Sequence, residues 1–183
     1  LLVIALLAVF FFSNLSAAGE NKLYASAFAI RNNGGLSSEQ KIGQLQELKF
    51  KNGISSAGRL FIAVLYYEKG DLANAEKTLQ QCPDSRIPII NDQKTLLSSQ
   101  LLAAGGKNRE AMDLLQRMLD DKKTAMGREF ILLMLAKLQS RNRLQEEAVS
   151  SLKRIVNEYP NTVSAMEAQT LLSANSGAEP SAQ

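Results

Sequence analysis

The sequence predicts an all-α fold built from antiparallel helix pairs stacked side by side, and three observations carry that expectation. Alanines recur at positions 75, 111 and 148, at intervals of 36 and then 37 residues. Fixed intervals of this size mark chains made of repeated helical units, each covering the apolar face of its neighbour. Each of these alanines lies in an apolar stripe at helical spacing, and Gly or Pro punctuates the stripes. Leu and Ala dominate, aromatics make up 6% and Trp is absent, a bias toward helix and away from strand. With 45% hydrophobic residues among 183, the chain can bury a core and is not globally disordered.

Residues 1–19 form an apolar segment. Leu1 to Phe12 carry only hydrocarbon and aromatic side chains, and Glu20 is the first ionisable residue. As a helix, this segment would reach roughly 28 Å, close to the ~30 Å hydrocarbon core of a bilayer. It reads either as a retained single-pass anchor or as a signal peptide with Ser16-Ala17-Ala18 as its small-residue cleavage site. A buried core helix fits less well, because the run has no polar face. The chain opens at Leu1 rather than Met, so a basic flank is expected ahead of it. No Cys follows the apolar run, so the residues given hold no lipobox. Either reading puts the rest of the chain across the inner membrane from the cytoplasm.

Residues 20–54 read as a degenerate helix pair. Leu23–Ile30 and Glu39–Lys49 supply the helices, with a break at Asn32-Asn33-Gly34-Gly35, where glycine tolerates a left-handed turn. Residues 55–160 carry three repeats. In the first, Leu60, Ile62, Ala63, Leu65 and Tyr66 stripe one helix, Gly70 ends it and Asp71 caps the next. Leu72, Ala75, Leu79 and Cys82 stripe that second helix, and Pro83 stops it. The second repeat runs from Leu96 to Ala104, breaks at Gly105-Gly106, and resumes after an Asn108 cap with Ala111, Leu115 and Met118. The third runs from Phe130 to Leu138, turns at Arg141-Asn142-Arg143, and continues through Ala148, Leu152 and Ile155 to Tyr159-Pro160. Residues 161–174 read as a capping helix and 175–183 as a disordered tail rich in small residues.

This pattern resembles the tetratricopeptide repeat, and the resemblance implies an α-solenoid. The family's unit has a small residue and then an aromatic in its first helix, Gly before the second, Ala within it and Pro at the end. Ala63, Tyr66, Gly70, Ala75 and Leu79 follow that pattern in the first repeat. Gly106, Ala111 and Leu115 follow it in the second, where Ser99 and Leu102 replace the small and aromatic residues. Ala136, Ala148, Leu152 and Pro160 follow it in the third, which lacks the turn glycine. Small residues let paired helices approach to the short end of the ~8–10 Å interaxial range.

The composition narrows the chemistry. There is no His, so the commonest metal ligand and general base are missing. Cys82, the single cysteine, sits on an apolar stripe with no base to activate it and reads as a core residue. Asp120-Asp121 and Glu146-Glu147 point in different directions on a helix and read as surface charge. Gly34-Gly35 and Gly105-Gly106 lack the Lys-Ser/Thr of a phosphate loop. Met112, Met118, Met126, Met134 and Met166 read mostly as core filler. No cofactor, metal site or enzyme activity is expected. The net charge is +3, and the densest basic stretch, between Lys107 and Arg128, is interrupted by Glu110, Asp113, Asp120 and Asp121. A nucleic-acid partner is therefore not expected.

The resemblance implies instead a groove lined by the first helix of each repeat, which binds a protein partner. Carried over by position, its residues are Leu60, Val64, Tyr67 and Glu68, then Gln93, Leu96 and Gln100, then Phe130, Leu133, Lys137 and Arg141. Chaperone-binding members use a basic and amide clamp for a C-terminal carboxylate. Leu60, Leu96 and Leu133 occupy one of its positions, so the clamp is absent. An apolar groove with polar edges suits an amphipathic helix or an unfolded apolar segment, unless the domain's own N-terminal helices or a second copy fill it. The layout of anchor, repeats and short tail also resembles the bacterial ancillary translocon-subunit family. That likeness implies a single-pass inner-membrane protein with a periplasmic domain, a secretion channel or periplasmic chaperone as partner, and a scaffold function. An exported adaptor in envelope assembly or cell division is the other reading.

Overall fold

The computed structural model describes residues 18–50 and 53–176, and the chain divides into two compact units between Leu101 and Leu102. Among the described residues, nine helices and one two-stranded ribbon account for the regular structure.

In unit 1, helix α1 covers residues 18–32 and α2 runs Ser38–Gln46. A capping box starts α2. The Ser37 hydroxyl accepts from the Gln40 N–H at 3.2 Å, and the Gln40 side chain accepts from the Ser37 N–H at 2.8 Å. The sequence places this helix over Glu39–Lys49, but it ends at Gln46. There β1 (Lys49–Phe50) pairs antiparallel with β2 (Gly53–Ile54). Phe50 and Ile54 are strand formers, so local preference supports the departure. The break before α2 also differs from expectation, because Gly34 and Gly35 avoid the left-handed region. The Asn33 side chain instead accepts from the Gly35 N–H at 2.9 Å, closing a side-chain turn.

Helix α3 (Ser56–Glu68) starts at Ser55, whose buried hydroxyl accepts from the Gly58 N–H at 3.1 Å. Gly58 lies against α2, where an added Cβ would stand 2.9 Å from the Leu45 carbonyl oxygen. Helix α4 (Leu72–Gln80) is capped by Asp71, which accepts from the Asn74 N–H. Cys82 lies two residues beyond α4, not on it, and is still buried, with its thiol donating to the Ser56 carbonyl at 3.3 Å. Helix α5 (Pro88–Ala104) begins eight residues before the expected Leu96, with Pro at a first turn that needs no N–H from it. One core joins α1 through α5 and includes Ala27, Leu45, Leu60, Ala63, Leu79, Ile90 and Leu97.

Unit 2 holds the end of α5 and α6 (Asn108–Asp120), α7 (Arg128–Arg141), α8 (Gln145–Glu158) and α9 (Val163–Ser176). Its core includes Ala111, Leu115, Ile131, Leu135, Ala136, Ala148, Leu152, Ile155, Ala165 and Ala168. The Thr162 hydroxyl accepts from the Ala165 N–H and opens α9, which runs on to Ser176, two residues into the stretch read as tail. Residues 177–183 lie outside the described residues.

The joints between paired helices repeat atom for atom. Asp71 N–H donates to the Tyr66 carbonyl, Lys107 N–H to Leu102, and Leu144 N–H to Gln139, at 2.9, 2.9 and 3.0 Å. Each such bond closes a helix end around a left-handed residue. Those residues are Gly70 (φ 77°), Gly106 (φ 80°) and Arg143 (φ 62°), spaced like the alanines. The third repeat thus keeps the glycine turn without the glycine. The joint also moves the second cap, because Lys107, not Asn108, precedes α6, and no side chain caps it.

Candidate functional site

Unit 1 contains an open cleft of about 290 Å3 lined by Phe28 and Arg31 of α1, Leu60, Phe61, Val64, Tyr67 and Glu68 of α3, and Gln93, Leu96, Leu97 and Gln100 of α5. Seven of the eleven residues placed on the groove by the sequence therefore meet in one cleft. Helical spacing explains the set. Leu60, Val64, Tyr67 and Glu68 follow one face of α3, and Gln93, Leu96, Leu97 and Gln100 follow one face of α5.

Leu60 is fully buried and makes the floor with Leu97 and Phe61. An aromatic cluster forms one end. Tyr24, Phe28 and Phe61 place their ring centroids 6.0–6.4 Å apart in tilted pairs, yet Phe28 remains 51% exposed. The Arg31 guanidinium stands 5.9 Å from the Phe61 ring centroid and pairs with Glu68 at 2.7 Å. Gln93 donates from Nε2 to the Tyr24 hydroxyl at 3.4 Å. Among the described residues, two buried polar atoms of this lining find no hydrogen-bond partner, Nε of Arg31 and Oε1 of Gln93.

Sequence reasoning missed Phe28, Arg31, Phe61 and Leu97. Tyr24 and Phe28 stand at i, i+4 on α1 and Arg31 three residues on, a spacing that puts all three on one helix face. That spacing was the available signal, but α1 lies ahead of the first clear repeat. The N-terminal helix forms one wall of the cleft and leaves it open.

The other four residues lie in unit 2. On α7, Leu133 is 2% exposed and belongs to the core, whereas Phe130 and Arg141 are exposed. Lys137 is engaged by Glu167 of α9 at 2.6 Å. Burial pushes the Cys82 thiol up to about 11, against smaller opposing effects of Lys94 and Arg59, so little thiolate forms at neutral pH. Among the described residues, no group of three or more Cys, Asp or Glu side chains could hold a metal ion.

These features define a class: paired helices with repeated joints, and inner-face side chains that line an open apolar cleft. More particularly, residues 131–162 match the family model described as tetratricopeptide repeat, over the repeat whose joint turns on Arg143. The match supports a tetratricopeptide-repeat protein, and its helix pairs are those from which α-solenoids are built. Such repeats typically mediate protein–protein interaction without catalysis. No curated protein and no solved structure matches the chain. Among the described residues, no helix is long and apolar enough to cross a membrane, and residues 1–17 of the expected anchor lie outside them.

Proposed function

We propose that this chain is a non-catalytic scaffold tethered to the bacterial inner membrane through residues 1–19, with its helical domain in the periplasm. It holds a protein partner in the unit 1 cleft, close to protein translocation or periplasmic folding, with a secretion channel or chaperone as the partner class. The observation that carries the binding role is the convergence of seven inner-face residues on one open apolar cleft. The uncharged run ahead of Glu20, long enough for a bilayer, supports the tether.

A photo-crosslinking residue at Val64 tests the binding role, with one at exposed Lys153 as control. Products with a channel subunit or chaperone from Val64, absent from Lys153, are expected after recovery in mild detergent. Equal products from both positions, or monomer alone, would remove the scaffold reading. The small residues Ser16-Ala17-Ala18 favour a second reading, an exported adaptor in envelope assembly or cell division. Intact mass of the mature chain separates the two, since an exported adaptor lacks everything before Gly19.

A further inference from the structure

Helix α1 begins against two other parts of unit 1. An added Cβ at Gly19 would stand 3.6 Å from the Phe50 ring, so the ribbon lies beside the first turn of α1. One residue on, the Glu20 carboxylate accepts from the Ser85 hydroxyl at 2.6 Å and from the Arg86 N–H at 3.1 Å. The loop between α4 and α5 is thus clasped to the same turn by charge-assisted bonds. The far end of α1 meets the far end of α3 instead, where Arg31 pairs with Glu68.

The two ends differ in charge. Lys22, Lys49, Arg59, Arg86 and Lys94 gather at the end where α1 begins, with Arg59 held to Gln81 at 2.9 Å and Lys94 to Asp84 at 2.7 Å. Three carboxylates oppose these five cations: Glu20 is taken by the loop, Asp84 by Lys94, and Glu47 is exposed. Lys22 and Lys49 are exposed and enter no salt bridge among the described residues. At the opposite end the charges cancel in pairs, Arg31 with Glu68 and Lys69 with Glu39.

We propose that the end of unit 1 at which α1 begins is a lipid-facing surface that rests on anionic headgroups, with Lys22 and Lys49 as its contacts to phosphate. The inference rests on the tether proposed above and names what the domain does at the bilayer. A chain that leaves the bilayer at Gly19 brings the ribbon and the α4–α5 loop to the headgroups with it, because both touch the first turn of α1. Cations held within a Debye length of an anionic surface are drawn to it, each favouring the bound orientation by about fivefold. The tether selects lipid over an acidic protein, since the bilayer is the surface already within reach.

The test uses the full chain in vesicles with tryptophan as the reporter, since the sequence has none of its own. Gly53→Trp places it on the ribbon, and Gly34→Trp places it past the far end of α1, roughly 20 Å along that helix. An added Cβ meets nothing within 4 Å at either glycine, so both variants should fold like the parent. A nitroxide on the lipid headgroup quenches only nearby tryptophan. In phosphatidylglycerol-rich vesicles quenching should be about threefold greater at position 53 than at position 34. That difference should shrink by about half in phosphatidylcholine vesicles, in salt of about 1 M, and when Lys22→Gln is combined with Lys49→Gln. Equal quenching at the two positions overturns the proposal. So does a difference that is the same in neutral and anionic vesicles, which the tether or the interfacial preference of tryptophan would produce without any headgroup contact. Flotation of the unaltered chain with phosphatidylcholine vesicles after a carbonate wash tests the tether by itself. Flotation with equal quenching sinks the headgroup surface and leaves the tether standing. Flotation with phosphatidylglycerol vesicles alone, with the difference intact, removes the tether and keeps the surface.

Discussion

Leu60 and Leu133 hold the same position in two repeats and both are buried, but one helical turn later the faces diverge. In unit 1 that later position is Val64, which lines an open cleft. In unit 2 it is Lys137, whose charge is already answered by Glu167 of α9. The repeat therefore builds the same frame in both units, while the residues around it decide whether the inner face stays open. Binding function in such a fold lies in what the frame leaves uncovered, and here α1, which stands ahead of the repeats, supplies one wall of that.

The sharpest way to break the comparison is at the shared leucine. Leu60→Ala and Leu133→Ala should each destabilise their unit by about 3 kcal/mol, as expected for a truncated core leucine. Urea unfolding checks this. Leu60→Ala should also alter photo-crosslinking at Val64 by deepening the cleft, whereas Leu133→Ala should leave it unchanged. A cost below about 1 kcal/mol for either would mean the side chain serves a guest more than the core.

The joints give a smaller effect with opposite signs in the two units. Gly70→Ala forces a side chain into the left-handed region and should cost about 1 kcal/mol. Arg143→Gly relieves the same strain and should raise stability by about 0.5 kcal/mol, net of the entropy glycine adds to the unfolded chain. Lys107→Asp, which places at α6 the side-chain cap that Asp71 provides at α4, should add about 1 kcal/mol. Thermal melting of the three variants reads all of this. Equal responses at positions 70 and 143 would show that the two joints are not equivalent in solution.

Much of this frame was legible in the sequence. Ala75, Ala111 and Ala148 mark the period, and Gly70 and Gly106 mark two joints, because close packing and left-handed turns admit few residue types. The third joint falls at the turn read over Arg141-Asn142-Arg143, but its left-handed residue was not legible, since the backbone bond from Leu144 to Gln139 holds the turn without a glycine. The cleft was legible where it follows repeat positions, from Leu60 to Gln100. Arg31 and Phe28 were not, because their spacing shows only that they share a face of α1, and nothing in it says that this face packs on α3. The ribbon at Phe50 and Ile54 was missed for a related reason: two residues per strand leave no alternating pattern to read.

The smallest expected effect concerns how unit 1 secures its extra N-terminal elements. The Glu39 side chain on α2 pairs with Lys69 at the end of α3. The hydrogen bond from Lys69 is the main reason its carboxyl falls from an ordinary 4.5 to about 2, and the same partnership raises Lys69. A carboxyl depressed in the folded state contributes stability that is present above 4.5 and fades as pH falls toward 2. The pair is exposed, so the contribution should be slight and should shrink with added salt. A carbon-13 titration of the Glu39 carboxyl should show a midpoint near 2, shifting upward in Lys69→Met. A midpoint that stays near 4.5 in the unaltered protein would mean that α2 is held to α3 by Leu45 and the close approach at Gly58, with no help from charge.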